Sequence, residues 1–288
     1  MPRCAFLSTD HLEDFFVYDD LVKPFLREYG WSVDDLCWRN QANNYDDYDV
    51  VVVRSTWDYQ SAPDAFLACL KRIDDSNAIL ENSLSLMQWN LSKAYLRDLQ
   101  NAGVPILPTL WHDAFDKLQI DIAFEHFKSP VLIIKPLVSA NADHTYKFTR
   151  QDVVTLQPLF ADTFASRPFM IQAFEPSIVE KGEYSLFYFD SVFSHAICKR
   201  PALGDFRVQE EHGGQLEAIE PTSDMLVLAE KAIKALPEPS LYARVDMLET
   251  EKGLAIIEIE LIEPSLYFNM DEGSAKRLAD TIAMKFTT

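Results

Sequence analysis

The sequence predicts a mixed protein, α/β in its N-terminal part and α+β beyond it, with a doubly wound parallel sheet followed by antiparallel strands. Before residue 82, short apolar β-branched runs alternate with amphipathic stretches, which is typical of βαβ units. Further on, Tyr242–Pro264 alternates apolar and charged residues around a turn that contains Gly253, which predicts a β-hairpin. With 288 residues, 48% of them hydrophobic, the chain is large enough for two or three subdomains with substantial cores.

The N-terminal part is expected to be a small doubly wound domain. Its predicted elements are strands at Arg3–Ser8, Trp31–Trp38 and Asp49–Arg54, and helices at Tyr18–Tyr29 and Ala62–Ile73. Ligands bind at the carboxyl ends of such strands, so Arg54, Ser55 and Asp58 are candidate substrate residues. A helix cap at Asp58 and a surface arginine at Arg54 are an equally good interpretation. No GxGxxG motif is present, which argues against a dinucleotide enzyme.

Two lysines mark the next unit, which starts near Asn82. A helix is predicted at Leu91–Ala102, and it places Lys93 in the first turn, where the helix dipole disfavours a cation. Lys93 is therefore either exposed or paired with an anion. Lys135 ends the apolar strand Val131–Pro136. Burying a lysine is costly, which favours a bound partner over a side chain that snorkels to solvent.

The elements that follow complete the α+β part. Predicted are an extended stretch at Val104–Thr109, helices at Asp113–Phe127, Thr222–Leu236 and Asp271–Phe286, a strand at Phe169–Phe174, and a hairpin of Tyr184–Phe189 with Val192–Lys199. The end of the strand at Phe169–Phe174 offers backbone groups and apolar walls to a flat heterocycle. The loop Gly204–Gly214 is a candidate lid over phosphates, with a mobile surface loop as the alternative.

The predicted hairpin gathers charge on one face. Because side chains alternate along strands, Arg244 and Asp246 share a face, as do Glu258 and Glu260, and pairing about the turn brings all four together. Clustered carboxylates need cations, and such oxygen-rich sites suit Mg²⁺ that bridges substrate phosphates. A solvated sheet face would show the same alternation, so both interpretations stand on the hairpin alone.

Composition excludes several classes of function. A formal net charge of −19 argues against a nucleic-acid partner, since binding a phosphate backbone requires a basic surface. No stretch approaches the roughly 20 apolar residues of a membrane span, and a cytoplasmic location is expected. The four cysteines form no CxxC pair and the six histidines form no HExxH, so a zinc site is not predicted.

Several motifs in order resemble those of the ATP-grasp superfamily. They are Lys93, Lys135, the Ile171–Pro176 stretch, Gly182-Glu183, Arg244-Val-Asp246 and Glu258-Ile-Glu260. The segments that begin at Arg54, Lys199 and Glu260 are similar to the glutathione-synthetase-like branch that includes O-ureido-D-serine cyclo-ligases. The resemblance implies an ATP-grasp fold and divides the chain into an N-terminal domain at 1–81 and two ATP-grasp subdomains at 82–168 and 169–288.

The resemblance also implies a role for individual residues. Lys93 and Lys135 would hold the ATP phosphates, and Asp246 and Glu258 would bind Mg²⁺, with Glu260 where the family commonly has Asn. The hinge at adenine would comprise Gln172, Ala173, Phe174 and Glu175, and the ribose acid would be Glu183, with Glu180 as the alternative. The catalytic cations would be Arg244 at the tetrahedral intermediate, Arg207 at the γ-phosphate, and Lys199 and Arg200 beside the lid.

The function implied is that of an ATP-dependent carboxylate-amine ligase or an intramolecular cyclo-ligase. Such enzymes activate a carboxylate as an acylphosphate, here on a small amino-acid-like substrate, with Mg²⁺ or alternatively Mn²⁺. The resemblance also leads us to expect a homodimer. Two other functions remain open: a nucleotide-binding regulatory protein without turnover, and an ATP-grasp kinase that stops at phosphoryl transfer.

Overall fold

Three sheets organise the molecule. The structure, a computed structural model, describes residues 1–13 and 15–286. The strand order is β2-β1-β3-β4 in the N-terminal sheet, β5-β8-β6-β7 in the middle sheet and β11-β10-β9-β12-β13 in the C-terminal sheet. Within the described residues, no helix has both the length and the apolar character that crossing a membrane requires.

The N-terminal sheet is parallel, as predicted. Its elements are β1 (Arg3–Ser8), α1 (Lys23–Glu28), β2 (Ser32–Cys37), β3 (Val50–Val53), α2 (Pro63–Asp74) and β4 (Ile79–Glu81). All four valines of β3 are fully buried because the strand lies inside the sheet and apolar side chains cover both of its faces. The short edge strand β4 is an addition to the predicted elements.

The middle sheet is antiparallel and carries Lys135 on one of its strands. This part contains α3 (Leu84–Asn90), α4 (Tyr95–Asn101), β5 (Thr109–His112), α5 (Lys117–Phe127), β6 (Val131–Pro136), β7 (Tyr146–Thr149), α6 (Val153–Thr163) and β8 (Phe169–Ala173). The prediction of one helix at Leu91–Ala102 is wrong. Two short helices replace it, and Lys93 lies in the turn between them, where its amide donates to the carbonyl of Leu137 at 2.8 Å.

The C-terminal sheet contains the predicted hairpin. Its elements are α7 (Ser177–Glu180), β9 (Glu183–Phe189), β10 (Val192–Arg200), β11 (Gln215–Ala218), α8 (Ser223–Lys234), β12 (Tyr242–Thr250), β13 (Gly253–Glu260) and α9 (Ser274–Phe286). Arg244 pairs with Glu260 and Asp246 with Glu258 in the antiparallel register, so the predicted common face is confirmed. A bulge follows Asp246.

Among the described residues, the outer edge of β13 pairs with another backbone segment only at Ile256, through a short parallel bridge to Ile106, and side chains cover its C-terminal end. The Asn90 amide donates to the Ile259 carbonyl at 2.8 Å and accepts from the Leu261 amide at 2.9 Å. The Tyr95 hydroxyl accepts from the Ile259 amide at 2.7 Å. These bonds satisfy backbone groups that an open edge would leave exposed, and they fix the hairpin against the helices α3 and α4.

The division into domains stays a prediction. Strand β8 lies at residues 169–173 and pairs with β5 and β6, so a boundary at 168/169 would separate it from its own sheet. We propose that the first ATP-grasp subdomain extends through Ala173, which keeps that sheet whole.

Candidate active site

One cleft gathers most of the predicted functional residues. It lies between the middle and C-terminal sheets, and residues that follow β3 and β13 close one end of it. Of the predicted site residues, the following line it: Lys93, Lys135, Gln172, Ala173, Phe174, Glu175, Glu183, Lys199, Arg207, Arg244, Asp246, Glu258 and Glu260.

The hairpin supplies the charged floor of this cleft. The Arg244 guanidinium bonds both carboxylate oxygens of Asp246 at 3.0–3.1 Å and also bonds Glu260. Asp246 is 1% exposed and accepts a further bond from the Ser185 hydroxyl on β9. Burial alone would raise the pKa of Asp246, but Arg244 and Lys199 outweigh it and hold the pKa below its usual value. Asp246 is therefore an anion in the folded protein.

Glu260 behaves differently from its neighbour Asp246. Burial, together with the charges of Glu258 and Asp246, raises its pKa to about 7 against the opposing effect of Arg244. Glu260, which stands where the family commonly has Asn, therefore adds a negative charge that the neighbouring cations of the protein neutralise only in part. A bound cation would complete the neutralisation.

Lys93 and Lys135 both line the cleft, but among the described residues only Lys93 is paired with an acidic side chain. Lys93 Nζ lies 2.8 Å from a Glu258 carboxylate oxygen and 2.8 Å from the Ser139 carbonyl. Burial would lower the pKa of Lys93, but Glu258 outweighs it and the pKa is raised. Lys135 has no acidic side chain within 4.0 Å in the part of the chain described, and burial lowers its pKa. Lys135 is thus the cation that is available to an incoming anion.

Lys199 lies deeper, between two acids. Its Nζ is 2.5 Å from Glu183 and 3.5 Å from Asp246. The pairing depends on Gly182, whose φ is +97°. Any other residue at this position would place its Cβ 2.8 Å from the Lys199 carbonyl oxygen. Glycine therefore lets the two strands approach closely where Glu183 meets Lys199.

Strand β8 leads into the predicted adenine hinge. Gln172 donates to the Thr109 hydroxyl at 2.9 Å, and the Phe174 amide donates to the Val131 carbonyl at 3.0 Å. Lys147 Nζ lies 3.6 Å from the centroid of the Phe174 ring, which fixes this aromatic wall by a cation–π contact. The Phe174 amide and the Glu175 carbonyl, which accepts from the Ile178 amide at 3.2 Å, are already engaged. Among the described residues, the Phe174 carbonyl and the Glu175 amide have no backbone partner and remain for a base.

The predicted lid contributes one wall of the cleft. Residues 206–211 line it, and Arg207 pairs with Asp205 at 2.7 Å. The Tyr18 hydroxyl donates to Glu210 at 3.1 Å, which ties the loop to the N-terminal domain. A Cβ at Gly214 would lie 2.0 Å from the Val208 carbonyl oxygen, so glycine is required where this loop turns back on itself.

The structure does not bring the predicted substrate residues Arg54, Ser55 and Asp58 to the cleft. Arg54 is 1% exposed, and its guanidinium donates to Asp19 and to the Pro264 carbonyl, both at 2.9 Å. Ser55 donates to the same Asp19 carboxylate at 2.5 Å. Asp58 accepts 2.6 Å bonds from the Trp38 indole and the Arg39 guanidinium. The Ser55 and Asp58 side chains are engaged within the protein, whereas the buried Arg54 Nη1 has no hydrogen-bond partner among the described residues. None of the three residues lines the cleft, which corrects the expected position.

Arg200 and Glu180 also lie away from the cleft. Arg200 follows Lys199 on a strand and so points to the opposite face, where it pairs with Glu217 at 2.5 Å. Glu180 is exposed at the end of the short helix α7. Glu183, the alternative for the ribose role, faces the cleft but is held by Lys199.

Sequence reasoning missed the closed end of the cleft. Trp57, Tyr59, Glu263, Ser265 and Tyr267 line it. Burial and the neighbouring Glu260 raise the pKa of Glu263 to about 8. The alternation of the hairpin could not have identified Glu263, because β13 ends at Glu260 and the chain leaves the strand geometry there. The local segment Glu260-Leu-Ile-Glu-Pro was the available signal.

The residues present fit a divalent cation held jointly with a phosphate substrate. Asp246 and Glu258 lie opposite each other in the register, and carboxylate oxygens are ligands that Mg²⁺ prefers. Eight acidic and five basic side chains line the cleft, so a polyanion needs an added cation to bind there. Among residues 1–13 and 15–286, no cluster of three or more His, Cys, Asp or Glu could enclose a metal, which leaves positions for phosphate and water.

Comparison with known proteins agrees with this geometry. Residues 4–82 match the family described as "D-cycloserine synthetase DcsG, N-terminal domain". The cycloserine biosynthesis protein DcsG of Streptomyces lavendulae is 27% identical over 293 residues, which cover 96% of this chain and 97% of that protein. The crystal structure of D-cycloserine synthetase DcsG superimposes with a TM-score of 0.87 at 24% identity, covering 99% of this chain and 100% of that chain.

The chain has the ATP-grasp fold. A second solved structure extends the likeness beyond one relative. The ATP-grasp ligase PsnB, in complex with a phosphomimetic variant of its minimal precursor, Mg and ADP, superimposes with a TM-score of 0.68 at 16% identity, covering 99% of this chain and 98% of that chain. The predicted ATP-grasp fold and the enzyme class, an ATP-dependent ligase that forms a carbon–nitrogen bond, are confirmed. ATP and a divalent metal are the cofactors of this class.

Proposed function

We propose that this ATP-grasp protein joins a carboxylate to an amine of a small amino-acid-like substrate through an acylphosphate, and that both groups belong to one molecule. The observation that carries the proposal is the charged floor of the cleft: Asp246 opposite Glu258, with Arg244 between Asp246 and Glu260. The match to DcsG along nearly the whole chain supports ring closure.

Binding of ATP would use both walls of the cleft. The Phe174 carbonyl and the Glu175 amide would offer hydrogen bonds to the base, and the Phe174 ring would supply an apolar wall. Lys135, which lacks an acidic partner among the described residues, would attract the phosphates, while Lys93 would bridge them to Glu258. Asp246 and Glu258 would hold Mg²⁺, or alternatively Mn²⁺, which neutralises phosphate charge when bound.

The chemistry would require no nucleophile from the protein. The γ-phosphoryl group passes to a substrate carboxylate oxygen and ADP leaves. The amine nitrogen then attacks the acyl carbon, the bond from that carbon to the phosphate oxygen breaks, and the amine loses a proton. Arg244 would stabilise the negative charge on the tetrahedral carbon centre, and Arg207 would stabilise the transferring phosphoryl group.

Exclusion of water would protect the acylphosphate from hydrolysis. Residues 206–211 already form a wall of the cleft, and Tyr18 holds Glu210 in that position. We therefore assign the lid role to this loop. The homodimer stays a prediction from the resemblance.

A phosphate-release assay tests the proposal. Mg²⁺-ATP is supplied with O-ureido-D-serine, with other amino acids alone, and with amino acids in pairs. We expect release with a single substrate that contains both groups, and loss of release in Asp246→Ala with the fold retained. Release only from pairs of substrates would contradict ring closure. A phosphorylated acid that accumulates without an amide product would support a kinase instead.

A further inference from the structure

A buried acid at the closed end of the cleft has no counter-ion among the residues that the structure describes. Five acidic side chains are classed as buried: Asp19, Glu81, Glu183, Asp246 and Glu263. Four of these have a basic partner within 4.0 Å: the pairs are Asp19–Arg54, Glu81–Lys285, Glu183–Lys199 and Asp246–Arg244. Glu263 has none among the described residues, although only 6% of it is exposed.

The surroundings of Glu263 do not supply the missing charge. The neutral Tyr59 hydroxyl is a polar neighbour of the Glu263 carboxyl group and brings no positive charge. Lys93 acts on it electrostatically, but Lys93 is already bound to Glu258 and to the Ser139 carbonyl. Burying an ionised carboxylate without a cation is costly. A ligand that carries a positive charge would remove that cost, so the Glu263 carboxylate is suited to binding a cationic group.

The position of Glu263 is fixed from two sides. The Trp57 indole donates to the Glu263 carbonyl at 2.8 Å, and Arg54 donates to the next carbonyl, that of Pro264, at 2.9 Å. The Tyr242 hydroxyl donates to the Ile262 carbonyl at 2.8 Å. These bonds hold the backbone on both sides of Glu263, so its carboxylate is positioned before any ligand binds.

The walls beside Glu263 suit a small organic cation. Trp57 and Tyr59 line this end of the cleft and are 8% and 5% exposed. Aromatic faces attract ammonium groups, and the low exposure limits competition from water. An inorganic cation would instead require several oxygen ligands, which the indole and ring faces of Trp57 and Tyr59 do not supply.

We propose that Glu263, with Trp57 and Tyr59, binds the protonated amino group of the substrate amino acid. This inference rests on the proposed function, which commits the substrate's carboxylate and one nucleophilic nitrogen to ring closure. A second nitrogen, the α-ammonium group of an amino-acid-like substrate, is left without an assigned partner. Glu263 serves as the counter-ion of that group and keeps it protonated. An ammonium is not a nucleophile, so attack on the acylphosphate is left to the other nitrogen.

Unfolding of the ligand-free protein tests the premise without any substrate. Glu81→Gln is the matched control, because Glu81 is 7% exposed, lies outside the cleft lining and pairs with Lys285 at 2.6 Å. We expect Glu81→Gln to lower the unfolding midpoint and Glu263→Gln to leave it unchanged or raise it, since no cation loses its partner. If Glu263→Gln lowers the midpoint as Glu81→Gln does, Glu263 has a partner within the chain and the proposal is overturned.

A pair of substrates tests the ligand. O-ureido-D-serine is compared with 3-(ureidooxy)propionate, which differs only by lacking the α-amino group. We expect the wild type to favour the amino compound by roughly 10–100-fold in kcat/KM, as one charged contact provides. Glu263→Gln should lose that preference through KM, and Glu263→Asp should retain part of it. An unchanged preference in Glu263→Gln would overturn the proposal.

Binding of Mg²⁺-ATP separates this inference from the proposed function. A thermal shift with Mg²⁺-ATP should persist in Glu263→Gln and Glu81→Gln. A wild type without that shift contradicts the proposed function, whereas a retained shift with unchanged substrate preference contradicts only the role of Glu263.

Discussion

Arg54 and Arg244 are both buried arginines paired with a carboxylate, yet they serve different parts of the molecule. Arg54 bonds Asp19 and the Pro264 carbonyl, stacks near the Tyr242 ring at 5.1 Å, and is absent from the cleft lining. Arg244 bonds Asp246 and Glu260 and faces the cleft. The difference shows that an arginine–carboxylate pair is not itself a functional site, and that access to a ligand decides its role.

The two arginines are nevertheless connected through one segment. Arg54 holds the Pro264 carbonyl, and Arg244 Nη1 lies 3.4 Å from the Ser265 carbonyl. Residues of the N-terminal domain and of the C-terminal sheet thus contact two adjacent backbone carbonyls, those of Pro264 and Ser265, beside Glu263. We infer that Arg54 stabilises the backbone that forms the closed end of the cleft, whereas Arg244 contacts the ligands that bind in the cleft.

Replacing Arg54 should have the largest effect, and the effect should be on stability. Arg54→Met leaves Asp19 buried without its cation, which is expected to cost roughly 3–5 kcal/mol in the free energy of unfolding. Chemical denaturation measures it. Adding Asp19→Asn should recover part of the loss, because the uncompensated charge is removed. An Arg54→Met protein that is as stable as the wild type but releases no phosphate would place Arg54 in the reaction. That result would contradict the distinction drawn between Arg54 and Arg244.

Replacing Arg244 should mainly lower turnover. Arg244→Met removes the group that faces developing negative charge, so we expect a loss of about 10²–10³-fold in kcat. The measurement is phosphate release at saturating Mg²⁺-ATP, with a thermal shift to show that ATP still binds. Arg244→Lys serves as the charge-retaining control and should lose less. An Arg244→Met enzyme with wild-type kcat would contradict the assigned role.

The two lysines sharpen the contrast between paired and available cations. Lys135→Met should weaken Mg²⁺-ATP binding by about tenfold while leaving the ligand-free protein as stable or more stable, since Lys135 has no acidic partner among the described residues. Lys93→Met should weaken ATP binding and also destabilise the protein by leaving Glu258 without its cation. Calorimetry of ATP binding and thermal unfolding separate the two outcomes. Equal stability losses would contradict the distinction.

Arg200 should give the smallest effect. Its side chain is 43% exposed and pairs with Glu217 on the face opposite the cleft. Exposed pairs contribute little, so Arg200→Gln is expected to change stability by less than about 1 kcal/mol and to leave phosphate release near wild type. Because Lys199 is adjacent in sequence, a large loss of activity in Arg200→Gln would show that the lid uses this arginine in another conformation.

The features predictable from sequence were the local ones. The common face of Arg244, Asp246, Glu258 and Glu260 follows from period-two alternation about a short turn, and the structure has it. Strand β6 ending near Lys135 follows from its apolar run in the same way. Such patterns depend only on neighbours in sequence, and they positioned most of the cleft residues correctly.

Features set by distant contacts could not be predicted. Arg54 ends a strand where a ligand could bind, but Asp19 and Pro264 cover it, and they lie 35 and 210 residues away in sequence. Asn90 resembles a helix cap, yet its amide completes the edge of β13 at Ile259 and Leu261. Glu263 was missed because its burial depends on residues of the N-terminal domain that pack on it only in the folded protein.

The most direct test of the central claim follows oxygen from the substrate carboxylate. O-ureido-D-serine labelled with ¹⁸O in its carboxylate is incubated with Mg²⁺-ATP, and the released phosphate is analysed by mass spectrometry. Activation at the carboxylate predicts phosphate that carries one ¹⁸O atom, at a rate that falls in Arg244→Met. Phosphate without ¹⁸O, released as product forms, would contradict the acylphosphate and with it the role assigned to the cleft.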